Sequence, residues 1–550
     1  MTTSDIPGSG RPALPLILIR GFGGLGVSDE KRIAYQGFND GTVYPGKRGE
    51  NYIYEGLILR LLKSDWAYKD ATNVIAYYGS ERRDQELPQD LDALQLFFAD
   101  RLILDEGVRR SIERTTSRVR NTVWVFRYYD LDDRRFPLYG AALVRLIAFI
   151  RDLASDREEE ATGEPPKVNI IAHSMGGLIV REAVQVTYPK LFGQQMSAAD
   201  HINKIVTLGT PHQGISFQLL KDWIGPDAQQ EIERFNPDFQ ADGSNQASFR
   251  RFQRHFPLER LLTVVGTNYR TYGTSVSSLA NRLFSVPGEF GPNYNRSDGL
   301  VKQTYAQVPG APRTFVHKCH GGPDSLVTSR EAFEVAMRFF FGDRKARLRL
   351  VDAEVTRGLD LFGRSEVFLG VSIKPRGVDF DLFHQTAEAE NCYGPFRSRR
   401  LDDDDVAFSW AGPGRLIWEG WLDSRARAVV DDRSPDLVMR LDVYVGERDS
   451  FGLGFSDNVI FHKQYYVQAV MGDPLQLYVH TGERLLTGTV RDGDREVPVT
   501  PEMLAQAAER DPDNVQRCAG VAGGWTFQVK GTGFRGTFQM ELEEARPESP

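Results

Sequence analysis

Ser174 stands where a hydroxyl could act as a nucleophile. Around it the chain reads Lys167-Val-Asn-Ile-Ile-Ala-His-Ser-Met-Gly-Gly-Leu-Ile-Val-Arg181. An apolar run from Val168 to Ala172 stops at His173-Ser174-Met175. Two glycines then open a helix-compatible run with Leu178, Ile179, Val180, Ala183 and Val184. A strand, a sharp turn and a helix in that order push a serine into a strained backbone conformation with its hydroxyl clear of the sheet. The residues two before and two after it must be small, because the two chain segments pass closely there. They are Ala172 and Gly176. Small-x-Ser-x-small runs also arise by chance in buried strands and helices, so the serine needs partners.

A serine hydroxyl at neutral pH requires an adjacent base, itself oriented by a carboxylate. Where such an elbow tops a parallel sheet, the partners follow in the order serine, acid, histidine. Of nine histidines, His173, His201, His212 and His255 come too early for that order, and His384, His462 and His480 lie in a β-rich region. His317 and His320 remain, in Thr314-Phe-Val-His-Lys-Cys-His-Gly-Gly322. A base belongs on the loop after the last strand. That position selects His320 and leaves His317 as a strand residue. The acid belongs between the strand near Leu262 and that loop. Asp298, in Ser297-Asp-Gly-Leu-Val301, fits, although Asp-Gly is also a common turn. Asp324 follows the histidine and is read as loop or helix-cap chemistry. An oxyanion needs backbone N–H donors already in place. The expected donors are Met175, after the serine, and Phe22, in the glycine-rich Arg20-Gly-Phe-Gly-Gly24. That loop lacks both the lysine of a phosphate loop and the dinucleotide spacing.

These parts need a scaffold. Short apolar strands alternate with amphipathic helices over the first 340 or so residues, which predicts an α/β unit with a mostly parallel sheet. Expected strands are Leu14–Ile19, Val123–Arg127, Val168–Ile171, Ile205–Leu208, Leu262–Val265 and Thr314–Val316. Tyr139–Leu153 and Glu331–Phe341 carry helical spacing. Roughly 100 residues separate the first two strands, far more than an ordinary connection. The interval around 25–120, with apolar faces at Tyr54–Leu62 and Leu91–Leu104, is read as an inserted cap, or alternatively as an extra core layer. After Gly342-Asp343 helical periodicity fades and short alternating strands run to about Glu543, the signature of an antiparallel β-sandwich. The expected organisation is therefore residues 1–343, 344–545 and a polar tail at 546–550.

Composition narrows the class. With 550 residues, 41% apolar and 26% charged, the chain has the make-up of a globular protein of two or three domains. A net charge of −8 gives no basis for nucleic-acid binding. No stretch reaches the roughly 18 apolar residues of a membrane span. No basic-then-apolar leader opens the sequence, and Cys319, Cys392 and Cys518 do not make a disulfide framework. Cytoplasmic residence with reduced thiols is expected, with membrane-surface association or export without a cleavable signal as alternatives.

With Ser174, Asp298, His320 and the Arg20–Gly24 loop assembled, the chain resembles lipase-type α/β-hydrolases, in particular bacterial triacylglycerol lipases and GPI-inositol-deacylase-like proteins. The resemblance lies in Ile170-Ile-Ala-His-Ser-Met-Gly-Gly-Leu-Ile-Val-Arg181, Leu208-Gly-Thr-Pro-His-Gln-Gly214 and Ser297-Asp-Gly-Leu-Val301, and spans residues 14 to 341. It implies hydrolysis of carboxylic esters in acyl lipids, without metal or organic cofactor. Acyl transfer by the same residues is the enzymatic alternative, and an inactive lipid- or protein-binding scaffold is the other. The oxyanion strand of such enzymes usually ends His-Gly; here it ends Arg20-Gly21. Residues 347–366 and 441–449 also resemble parts of a C2 domain, which implies docking on lipid or protein. Asp360, Glu366, Glu447 and Asp457 would then match calcium-loop acids, but Val445 stands where an aspartate is expected.

Overall fold

The structure, a computed structural model, describes residues 13–21, 56–63, 68–71, 119–126, 136–155, 165–214, 246–269, 297–321, 324–356, 365–376, 378, 380–386, 389, 391–396, 415–423, 437–449, 458–470, 474–481, 489–492, 495–498 and 501–545. Seven strands form the first sheet: β1 (Leu16–Ile19), β2 (Lys69–Asp70), β3 (Thr122–Phe126), β4 (Val168–His173), β5 (Ile202–Leu208), β6 (Leu261–Gly266) and β7 (Arg313–Val316). Their order is β2-β3-β1-β4-β5-β6-β7, and every pairing is parallel. β1, β3, β4 and β6 are buried along their whole length, which is why they read as continuous apolar runs instead of alternating ones.

Helices cover both faces. On one side α2 (Phe136–Ser155) and α3 (Met175–Glu182) pack with Ile17, Trp124, Ile170 and Ile205 in one core cluster. On the other, α1 (Leu57–Lys63) and α4 (Arg330–Phe341) pack with Leu16, Val123, Val206 and Val264. Ser329 caps α4, its hydroxyl accepting from the Ala332 N–H at 3.0 Å. The described pieces of the long interval lie in the core layer. Leu57, Ile58 and Leu61 of α1 belong to the core, and Lys69–Asp70 adds a parallel strand beside β3. Two residues are too few for period-two alternation to reveal. Leu91–Leu104 lies outside the described residues.

Beyond α4 all sheet pairing is antiparallel. One sheet runs Leu416–Leu422, Arg344–Val355, Phe534–Glu544, Gly524–Gly531, Ala519–Val521. The other runs Phe383–His384, Ser365–Pro375, Leu437–Asp449, Asn458–Val470, Gln476–His480, Val515–Arg517, with Tyr393–Phe396 also on Ser365–Pro375. Their inner faces meet in one cluster that includes Leu348, Phe538, Val371, Val443 and Val467. That cluster does not stop where the periodicity changes: Val265, Val301, Ala306 and Phe315 are part of it. A helix at Pro501–Arg510, not expected in this half, seats Leu504 on Val470 and Tyr478.

Candidate active site

Ser174 sits between β4 and α3 with φ 52° and ψ −126°. Positive φ is uncommon for a residue with a side chain, and only Ser174 and Arg415 show it outside glycine among the described residues. The strain is held by the surroundings: the Ser174 N–H donates to the Leu208 carbonyl at 2.9 Å, tying the turn to β5. Gly176 must be glycine, because a Cβ there would lie 2.5 Å from the Ile19 carbonyl oxygen. The end of β1 thus passes directly over the elbow. A Cβ at Gly21 would run into the Ser174 side chain, so the loop after β1 borders the hydroxyl.

The structure brings together all three residues expected for a triad. His320 Nε2 lies 2.8 Å from Ser174 Oγ, and His320 Nδ1 lies 2.8 Å from Asp298 Oδ2. An ionised carboxylate only accepts, so the imidazole proton sits on Nδ1 and Nε2 is left to accept from the serine hydroxyl. All three residues are buried. Asp298 is fixed twice over. Its Oδ1 accepts from the N–H groups of Leu300 (3.0 Å) and Val301 (2.8 Å), and its carbonyl accepts from the His320 N–H at 2.8 Å. Gly209, at φ 54°, leaves the room this needs: a Cβ there would be 2.8 Å from Asp298 Oδ2 and 3.2 Å from His320 Nδ1.

The other candidates fall elsewhere. His317 Nδ1 is 3.1 Å from Thr267 Oγ1, and its ring faces His384. Asp324, half exposed, pairs with Lys318 Nζ at 2.7 Å. Met175 opens α3, where backbone N–H groups lack intrahelical acceptors. Phe22 lies outside the described residues. So do Asp360 and Asp457; Glu366 is buried, and Glu447 accepts from Asn458 Nδ2 at 3.3 Å. Among the described residues no group of three or more His, Cys, Asp or Glu side chains is placed to hold a metal ion, and no helix is long and apolar enough to cross a membrane.

Chain order removed His173 from the candidates for the base, yet the residue belongs to the site. Its Nε2–H donates to the His320 carbonyl at 2.8 Å, and the two rings are 4.8 Å apart. Burial, then the neighbouring His320 and Arg20, hold its pKa well below the ordinary histidine value, so it stays neutral. Its place beside the serine was the only sequence signal. The Gly209-Thr-Pro-His-Gln-Gly214 segment is explained too. His212, kept neutral by burial and by Arg181, has Nε2 2.9 Å from Thr207 Oγ1. Its carbonyl accepts from Arg181 Nη1 of α3 at 2.5 Å, and Gln213 Nε2 donates to the Thr304 and Gln307 carbonyls downstream of Asp298. The motif braces the elbow helix against the acid-bearing loop.

Comparison with known proteins agrees with this architecture. Residues 106–267 match the family model of the PGAP1-like alpha/beta domain. The first half has the parallel-sheet architecture of an α/β-hydrolase, and the second half is antiparallel and all-β. Similar solved structures include the lipase BlEst2 of Bacillus licheniformis (14% identity, 61% of this chain and 94% of that one, TM-score 0.30). The metagenomic carboxyl esterase MGS0156 (14%, 62% and 79%, 0.28) and phospholipase PlaB of Legionella pneumophila in complex with thio-NAD (13%, 75% and 96%, 0.28) are others. No curated protein matches the sequence.

Proposed function

We propose that this protein hydrolyses carboxylic esters of acyl lipids through Ser174, His320 and Asp298. The hydrogen-bonded line from Ser174 Oγ through the His320 ring to Asp298, with both links at 2.8 Å, carries the reading. Ser174 Oγ attacks the acyl carbonyl as its proton passes to His320 Nε2. Asp298 orients the ring and stabilises the imidazolium. The N–H groups of Met175 and Phe22 receive the oxyanion. His320 then protonates the departing alcohol, leaving an acyl group on Ser174. A water, deprotonated by the same nitrogen, releases the acid and restores the serine. The buried, neutral His173 holds the carbonyl of the base without competing for its proton.

A fluorophosphonate probe tests the assignment. It should label the wild-type protein at Ser174, and Ser174→Ala should fold normally and remain unlabelled; labelling of the folded variant would overturn it. A panel of p-nitrophenyl esters, triglycerides and phospholipids then identifies the substrate class. The β-rich half is proposed to dock on lipid or on a protein partner, and flotation with liposomes separates those two.

A further inference from the structure

We propose that the β-rich half is a working part of the hydrolase site: its residues Leu382, Phe383, His384 and Ala389 hold the two loops that present Asp298 and His320 to Ser174. This rests on the triad reading above. Ser174 is anchored wholly within the first sheet, between β4, β5 and the end of β1. Its two partners are gripped from both halves.

On the acid side, the carboxylate of Asp298 is held by the N–H groups of Leu300 and Val301. The Val301 side chain is buried in the cluster that contains Val367, Leu369, Phe383 and Tyr393, and Leu300 packs against it. Two residues further on, the fully buried Gln303 donates Nε2 to the Ala389 carbonyl at 3.1 Å. The backbone that positions the acid is therefore nailed to the second half within five residues of Asp298.

On the base side, β7 is the edge strand of the parallel sheet. An uncovered edge carrying a buried phenylalanine would be unstable, and here Phe383–His384 and Leu416–Leu422 lie against it. Thr314 Oγ1 donates to the Leu382 carbonyl at 2.8 Å, Phe315 meets Phe383 with ring centres 5.6 Å apart, and His317 faces His384 at 6.1 Å. His320 follows three residues after His317. One short stretch of the second half thus touches both approaches to the imidazole–carboxylate pair. A shift of about 1 Å in such a constellation costs on the order of a hundredfold in rate.

The test uses the full-length chain with Phe383→Ala on the base side, Gln303→Leu on the acid side and Phe383→Leu as the conservative control. Fluorophosphonate titration counts competent serines, so kcat on a short soluble ester is expressed per titrated Ser174. A second readout is the downfield proton resonance of the His320 N–H donated to Asp298. Phe383→Ala and Gln303→Leu should each lower kcat per titrated serine about tenfold or more with KM little changed, and should broaden or remove that resonance. Phe383→Leu should restore most of both. The proposal is overturned if the folded Phe383→Ala and Gln303→Leu proteins keep wild-type kcat per titrated serine and the resonance. Fewer competent sites of unchanged kcat would likewise reduce the segment to a stabilising contact. Should wild type itself fail to label at Ser174, the triad reading fails, an outcome separate from these.

Discussion

The ring of His173 reaches across the site to the main chain of His320, Nε2 to carbonyl oxygen at 2.8 Å. The residue beside the proposed nucleophile therefore holds the loop that bears the proposed base. Because a carbonyl only accepts, the His173 proton is fixed on Nε2. His173→Leu keeps bulk but leaves a buried carbonyl without its donor. It should lower kcat roughly 10- to 100-fold with little change in KM, as loss of alignment does. His173→Gln, which restores an N–H donor, should recover much of that loss. A purely structural role would lower the melting temperature of both variants and leave kcat per active site intact.

Asp298→Asn should leave a folded protein with kcat reduced on the order of 10⁴-fold, as when the acid of a serine-protease triad is amidated. The amide would favour the wrong tautomer of His320. Asp324→Asn should be nearly silent, since the half-exposed Asp324 carboxylate pairs with Lys318 and not with His320. A loss within about tenfold for Asp298→Asn is too small for a triad acid.

The two histidines three residues apart should separate in the same assay. His320→Ala should remove several orders of magnitude from kcat, the usual result of deleting a triad member. His317→Ala, which removes a ring bonded to Thr267, should act mainly on stability. The reverse pattern would reassign the base.

Stability should fall on acidification. Burial lowers the pKa of His173, His201 and His212, with His201 at about 4. Below the ordinary value of 6.5 the unfolded chain takes up protons that the folded chain refuses. Full stability is therefore present above about pH 6.5 and is lost as pH drops through that window. Denaturant titrations between neutral pH and about pH 4 should show the decline. His201→Gln should flatten part of it; a flat profile in wild type would contradict the burial of neutral imidazoles.

A chain ending at Asp343, where the periodicity changes, should lose cover for its own core. Phe315 would lose Phe383, and Phe339 would lose the Trp421 ring 4.6 Å away. Uncovering several such side chains, at about 1.5–3 kcal/mol each, approaches the whole 5–15 kcal/mol stability of a domain. The truncated protein should be poorly soluble or weakly active on a soluble ester. Soluble, fully active material would show that the first half needs no cover.

The sequence alone determined the elbow, because a serine on a strand–turn–helix needs small residues at positions 172 and 176 whatever surrounds it. It also pointed to a mostly parallel first sheet, whose strand runs are apolar on both faces, and to the switch to alternating strands after Asp343. Chain order singled out His320 and Asp298 as candidates, and the structure places His320 between Ser174 and Asp298. Only the tertiary structure decided what holds these residues still. That Lys69–Asp70 joins the sheet, that His173 clamps the base loop and that Gln303 and Phe315 are gripped by the second half depend on contacts between residues 53 to 147 positions apart. Local periodicity carries no trace of such contacts, because each is set by which surfaces meet when the two sheets close on a shared core.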